Sequence, residues 1–326
     1  MANAVIPVGL NLGLGVALVA ANLLMIVVVP LWLLPLSPLW GVALVLPVLA
    51  TPTLWSLIHE AIHGALHPDR RWNDRLGRLL AGLFGSPFQV LRLGHLMHHR
   101  FNRSVLNRVE VARGAPSFRE RTLYYARLFG GLYLGEVAVA ALAILPDRFW
   151  RPIILLAFGD EAPDGRSMWG AARKQLLEEP GRSRMRLDGL AISAGLCGSF
   201  ALYGPNWWML AAALLSRAFL VSFLDNAYHY ATPLDDPMAG RDLTLPRPLQ
   251  VAMLNFNLHA THHRTPATPW SGLPEAQRRL GGRFDGGLVN AALRQLAGPI
   301  PETALRRTSE ARLTTSARAS ATGEAG

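Results

Sequence analysis

The sequence predicts an all-α integral membrane protein, and three observations support this fold class. Of the 326 residues, 51% are hydrophobic and only 17% are charged, whereas a soluble domain averages about 25% charged residues. The mean hydropathy is +0.22. Long apolar runs come in pairs separated by short turns. We expect about four transmembrane helices in two hairpins, a re-entrant or interfacial helical segment, and a cytoplasmic helical cap that carries a set of histidines.

The first hairpin is predicted from an apolar run over residues 5–34, longer than the about 20 residues that a helix needs to cross a bilayer. This run is too long for a cleavable signal peptide and has no basic start, so we interpret it as a permanent span. Pro35 and Pro38 mark a turn. A second run, from about Leu39 to Ile62, returns the chain to the first side.

The second hairpin is predicted over residues 187–203 and 207–224, with a turn at Gly204, Pro205 and Asn206. Between the two hairpins lies an apolar segment, residues 124–158, that is interrupted by prolines and charged residues. We expect it to form a re-entrant or interfacial hairpin rather than two full spans.

The placement of basic residues predicts the orientation of the hairpins. No Lys or Arg precedes Arg70, and a cluster of arginines then follows the first hairpin up to Arg78. A second cluster, from Arg182 to Arg186, precedes the second hairpin. Because basic residues concentrate on the cytoplasmic side of membrane spans, the open ends of both hairpins are predicted to be cytoplasmic. We expect the protein in a bacterial inner membrane.

Composition and charge also exclude several classes of protein. The net charge is +10, but no basic run with interleaved aromatic residues indicates nucleic-acid binding. The single cysteine, Cys197, excludes a disulfide scaffold, a cysteine-ligated zinc site and a cysteine-bound iron–sulfur cluster. We expect one domain over residues 1–305 and a disordered tail over residues 306–326, which are rich in Ser, Thr, Ala and Gly.

The ten histidines provide the strongest functional signal. Three clusters read HEAIH, HLMHH and HATHH, and one more histidine lies in DNAYHY. Residues three or four apart share one face of a helix, so each cluster presents its imidazoles together. Neutral imidazole is a common ligand of transition metals. The candidate metal-binding and catalytic residues are His59, His63, His95, His98, His99, His229, His259, His262 and His263.

The predicted topology lets these histidines meet, because all four stretches fall on the same side of the membrane. Nine ligands are too many for one four-coordinate zinc site. Two metal ions with about five ligands each would account for them. The sequence therefore predicts a site for two metal ions at the cytoplasmic face.

On these motifs the sequence resembles the membrane-bound fatty acid desaturase family, the histidine-box di-iron enzymes. The resemblance covers residues from about 50 to 275. It implies two iron ions held by the nine histidines, O2 as co-substrate, and insertion of a double bond into an acyl chain of a membrane lipid. It also implies a separate electron donor, for which we expect a ferredoxin-like protein that binds the arginine-rich surface.

Three further residues are candidates for cofactor binding. In some relatives an Asn four residues before the isolated histidine contacts a metal-bound water; here that position is Asp225, followed by Asn226, so both are candidates. Glu60 is a candidate to orient an imidazole by accepting its N–H. Asp69, Asp74 and Glu110 could do the same, or could pair with nearby arginines. His67 lies outside the clusters, and we expect it to have a structural role or to support the ligating histidines.

Several other functions fit parts of the pattern. Lipid or carotenoid hydroxylases and ketolases carry similar clusters. HEAIH also satisfies the HExxH signature of zinc proteases, for which Asp188 would be a third ligand, but this leaves both HxxHH clusters unexplained. A metal transporter or sensor would place its histidines inside the spans rather than at helix ends.

Overall fold

The computed structural model describes residues 5–105, 107–158, 168–234 and 236–306. The described chain is mostly helical, and a short parallel pair joins β1 (Val111–Ala112) to β2 (Ile300–Pro301). The predicted tail lies outside the described residues from position 307 onward. The helices are α1 (Val8–Leu33), α2 (Pro38–His63), α3 (Arg70–Phe84), α4 (Phe88–Phe101), α5 (Phe118–Leu142), α6 (Trp150–Phe158), α7 (168–177), α8 (Gly181–Tyr203), α9 (Trp207–Asp225), α10 (Arg247–Ala252), α11 (His259–Arg264), α12 (Leu273–Arg279) and α13 (Leu288–Arg294).

Four stretches of the described chain are long and apolar enough to cross a membrane: α1, α2, α5 and the 48 residues from Gly181 to Tyr228. The last stretch is a hairpin, because α8 and α9 are joined by a tight turn at Gly204–Asn206. Gly204 has a φ of 49°, a conformation that residues with a Cβ rarely adopt. The all-α membrane fold predicted from the sequence is confirmed.

The two hairpins pack with their turns at the same end of the bundle. Near the turns, the Tyr203 hydroxyl donates to the Met25 carbonyl (2.7 Å), and Gly41 packs so closely on Met209 that a Cβ would lie 2.9 Å from its sulfur. At the opposite end, the Asn11 amide donates to the Leu66 carbonyl (2.9 Å). We call this opposite end, where α2 and α9 end, the histidine end.

Helix α5 begins and ends at the histidine end, although its length would allow it to cross. Near its start, Arg127 pairs with Asp225 at the end of α9 (3.1 Å). Just beyond its end, the Leu145 carbonyl accepts a hydrogen bond from Arg186 near the start of α8 (3.4 Å). Gly130, with a φ of 144°, breaks the helix between these contacts. The path agrees with the re-entrant or interfacial segment expected from the sequence.

Helices α3 and α4 lie against the end of α2 and carry the second histidine cluster. Asp69 starts α3 by accepting the backbone N–H groups of Arg71 (2.8 Å) and Trp72 (3.0 Å). The side chain of Asn73 then donates to the Ala61 carbonyl in α2 (2.8 Å). Gly85, with a φ of 106°, ends α3 and lets the chain turn into α4.

Candidate metal centre

The histidine end of the bundle collects all nine predicted histidines into two groups. They come from the last turns of α2, from α4, from the segment after α9, and from α11. Within each group, one nitrogen of every ring lies within 4.8 Å of the corresponding nitrogens of the others. The first group contains His59, His63, His95, His99 and His262; the second contains His98, His229, His259 and His263.

The five rings of the first group meet through their Nε2 atoms. Successive Nε2–Nε2 distances are 2.9 Å from His63 to His95, 3.0 Å from His95 to His99, 2.9 Å from His99 to His262, and 3.0 Å from His262 to His59. His59, at the inner end, is 3% exposed. Three separate helices therefore direct five equivalent nitrogens at a common point.

The four rings of the second group form a closed circuit. The Nε2–Nε2 distances are 3.1 Å from His98 to His229, 2.9 Å from His229 to His259, 3.2 Å from His259 to His263, and 3.2 Å from His263 back to His98. His229, His259 and His263 are all buried.

Hydrogen bonds on the far side of the rings define which nitrogen carries the proton. In three rings of the second group, Nδ1 faces an oxygen of a neighbouring loop. The Nδ1 of His98 lies 2.9 Å from the side-chain oxygen of Asn107, that of His229 lies 3.1 Å from the Ala239 carbonyl, and that of His263 lies 3.2 Å from the Pro237 carbonyl. A carbonyl oxygen can only accept, so Nδ1 is the protonated nitrogen in these rings. In a neutral imidazole Nε2 then has a bare lone pair.

Burial keeps these rings neutral. Loss of hydration, together with the neighbouring histidines, lowers the pKa of His263 to about 3 and that of His99 to about 2. Burial is also the first cause that lowers the pKa of His229, His259 and His262 well below the ordinary value. At neutral pH His98, His229 and His263 therefore present unprotonated Nε2 atoms to the interior of the second group.

This arrangement fits metal ions. Lone pairs about 3 Å apart repel unless a cation lies between them. With metal–nitrogen bonds of about 2.1 Å, adjacent ligands at right angles are separated by roughly 3 Å, and the observed separations are 2.9–3.2 Å. The two groups could each hold one metal ion, with five nitrogen donors in one and four in the other.

The comparison with protein families agrees with this geometry. The model of the family described as fatty acid desaturase matches residues 35–290, which include both histidine groups. The chain belongs to the fatty acid desaturase family. No curated protein matches this chain at a significant level.

The three predicted cofactor-binding residues have different surroundings. Glu60 is buried and accepts the backbone N–H of Trp270 (3.0 Å), while its other oxygen lies 3.9 Å from His59 Nδ1, beyond hydrogen-bond distance. Asp225 is 41% exposed and pairs with Arg127. Asn226 is buried, and its side-chain nitrogen has no hydrogen-bond partner within the described chain.

The other acidic candidates contact arginines, the backbone or His67 rather than the histidines of the two groups. Asp74 pairs with Arg92, and Glu110 with Arg103. Asp69 caps α3, and its backbone N–H donates to the ring of His67 (3.0 Å). His67 thus belongs to neither histidine group, as predicted.

Two positioning residues escaped the sequence analysis. Asn107, in the loop after α4, contacts the His98 ring. Asp242 is buried and accepts two hydrogen bonds from Thr261, one from the backbone (3.0 Å) and one from the hydroxyl (2.6 Å), which holds α11 in place. Both lie in loops without a recognisable motif, so only the folded chain reveals their partners.

Acid should destabilise the metal-free protein. In the unfolded chain a histidine titrates near pH 6.5, whereas His263 in the folded chain remains neutral down to about pH 3. The unfolded state therefore binds more protons below about pH 6.5, and stability falls as the pH falls. We expect the thermal midpoint of the metal-free protein in detergent to decrease from pH 7 to pH 5.

The matched control is His263→Gln, which removes one of these groups. Its thermal midpoint should depend less on pH over the same interval. A midpoint that is constant or that rises on acidification would contradict the neutral state of the rings.

Proposed function

We propose that this member of the fatty acid desaturase family is a di-iron, O2-dependent oxidoreductase that inserts a double bond into an acyl chain of a membrane lipid. The observation that carries the proposal is the pair of histidine groups, whose Nε2 atoms face one another at metal-ligand spacing. Family membership supports the class of reaction.

Iron is the metal that this reaction requires. Zinc has no redox chemistry, whereas bound iron, supplied with O2 and electrons, provides the oxidising power to remove hydrogen from an unactivated methylene. The overall balance is one saturated chain, O2, two electrons and two protons giving one unsaturated chain and two waters. The nine histidines would hold the two ions: five in the first group and four in the second.

The surrounding residues support the histidines. Glu60 joins α2 to the chain at Trp270, seven residues after the third cluster, and so helps to hold together the segments that supply the first group. Of the two candidates before His229, Asn226 has the available donor, because Asp225 is engaged by Arg127. We propose that the Asn226 amide hydrogen-bonds a water at the second group.

Electrons would come from a separate ferredoxin-like protein. Arg70, Arg71 and Arg75 are exposed on α3, close to the end of α2 that supplies His59 and His63. An acidic surface on the donor would be attracted to these arginines. We further propose that the histidine end faces the cytoplasm of a bacterial inner membrane, as the arginine clusters favour.

The zinc-protease alternative lacks its third ligand in this fold. Asp188 is paired with Arg78, with a distance of 3.1 Å between Arg78 Nε and the carboxylate. His59 and His63 instead share their group with three other histidines. The HEAIH motif is therefore part of a larger donor set.

Expression in a bacterial host followed by mass spectrometry of its lipids tests the proposal. We expect a fraction of the acyl chains to lose two mass units, in cells with the native chain but not in cells with His262→Gln. A gain of sixteen mass units would instead indicate a hydroxylase. Unchanged lipids, together with one zinc and no iron in the purified protein, would contradict the proposal.

A further inference from the structure

A cavity of about 320 Å³ lies between α1, α3, α5, α8 and α9, away from the histidine groups. Its walls are mainly apolar, with contributions from Met25, Ile192, Leu196 and Leu214. Among the described residues, its lining includes no histidine. The side chains of Phe84 and Tyr133, which belong to the main hydrophobic core, close one wall.

Arg217 lines this cavity from within the apolar helix α9 and is only 1% exposed. Its guanidinium donates to neutral oxygens, namely the Asn22 side chain (2.7 Å), the Pro47 carbonyl (3.1 Å) and the Leu83 carbonyl (3.4 Å), and it also interacts with the Tyr133 hydroxyl. Its Nε–H finds no acceptor, and no carboxylate lies within 4.0 Å, in the portion of the chain that the structure describes.

The cavity runs along the bundle axis, from the start of α8 towards the turn between α8 and α9. The pair Arg78–Asp188 lies at one end of it, and Ser199, eleven residues further along α8, lines the other. Eleven helical residues span about 16 Å. Arg217 precedes the end of α9 by eight residues, about 12 Å, so its charge lies inside the apolar part of the bundle.

A charged side chain at this depth is costly without a counter-ion. Neutral oxygens satisfy some of the donors of Arg217 but leave its positive charge uncompensated. An elongated apolar space beside a buried cation matches an amphiphile with one negative group and an acyl chain. Gly195 leaves room for such a chain, because a Cβ built there would meet no atom within 4 Å.

We infer that this cavity binds an anionic amphiphile, whose acyl chain lies along α8 and whose negative group pairs with Arg217. The site is separate from the histidine groups and does not depend on the proposed reaction. The shared chemistry is an acyl chain with an anionic head, which a free fatty acid supplies as a carboxylate and an anionic phospholipid supplies as a phosphate.

Spin-labelled lipids test the inference with the purified full chain in nanodiscs of neutral phosphatidylcholine. The probes are spin-labelled stearate at pH 8, spin-labelled phosphatidylglycerol, and two neutral controls, the stearate methyl ester and spin-labelled phosphatidylcholine. The measurement is the immobilised fraction of each label. We expect at least one anionic probe to be retained about tenfold more strongly than its neutral control, the size of one charge-assisted hydrogen bond.

Two variants assign the effect to this cavity. Arg217→Gln should remove the preference for the anionic probe, and Gly195→Phe should remove it by filling the space without touching Arg217. Gly13→Phe is the matched control, because Gly13 is an exposed glycine of α1 that does not line the cavity. This variant should keep the preference for the anionic probe.

The outcomes separate as follows. Retention of stearate identifies a carboxylate ligand, and retention of phosphatidylglycerol identifies a phospholipid. Equal retention of anionic and neutral probes by the native chain overturns the inference, as does a preference that Gly195→Phe leaves unchanged. If Arg217→Gln does not fold, Gly195→Phe alone decides, and neither result requires a working metal centre.

Discussion

Replacing His259 with Gln should reduce the iron content from about two ions to about one per chain and lower the rate of product formation by ~100-fold or more. His259 is buried in the second group, with its Nε2 2.9 Å from that of His229 and 3.2 Å from that of His263. Removing it opens the closed circuit of four donors. The first group does not include His259 and should keep its ion.

The measurements are iron by elemental analysis of the purified variant and lipid products in cells. His67→Gln is the matched control, because His67 contacts Asp69 and belongs to neither group; it should retain both ions and normal products. Two irons and unchanged products in His259→Gln would contradict the assignment of the second group.

Replacing Arg103 with Met should destabilise the folded chain by about 3–5 kcal/mol, the cost of leaving one member of a buried ion pair without its partner. Arg103 is 1% exposed and Glu110 is fully buried, with 2.6 Å between Nη1 and the carboxylate. Arg103 also donates to the carbonyls of Thr232 and Pro233 (3.0 and 3.2 Å). It thereby joins the loop after the second cluster to the segment after His229.

The loss of stability in Arg103→Met should also weaken metal binding at the second histidine group. The backbone N–H of Arg103 donates to the carbonyl of Asn107 (3.0 Å), whose side chain contacts the His98 ring. We therefore expect Arg103→Met to lose iron from the second group in addition to unfolding at lower temperature.

The double variant Arg103→Met with Glu110→Gln provides the control. Removing the stranded carboxylate charge should recover part of the stability, as measured by thermal unfolding in detergent. A single variant that unfolds at the native temperature, or a double variant less stable than the single, would contradict a buried ion pair as the source of the effect.

The sequence predicted the helical hairpins well, because their signal is local. The first two predicted spans, 5–34 and 39–62, lie close to α1 and α2. The return of α5 to the histidine end was also expected, since arginine clusters flank the apolar segment on both sides. Apolar length and charge placement suffice for such predictions, because the membrane imposes both.

The convergence of the nine histidines was predictable from cluster spacing and topology, whereas their supporting contacts were not. Leu254 and Asn255, just before the third cluster, have φ values of 49° and 56°, and no glycine marks this turn in the sequence. The carbonyls of Pro237 and Ala239 that fix two ring tautomers also lie in a loop. Long-range packing sets these positions, so no local pattern reports them.

Anomalous X-ray diffraction at the iron absorption edge, on crystals of the iron-loaded protein, tests the proposed di-iron centre most directly. We expect two anomalous peaks, one about 2.1 Å from the Nε2 atoms of the first histidine group and the other at the same distance from those of the second. A single peak at the zinc edge between His59 and His63, with no iron at His98, His229, His259 and His263, would contradict it.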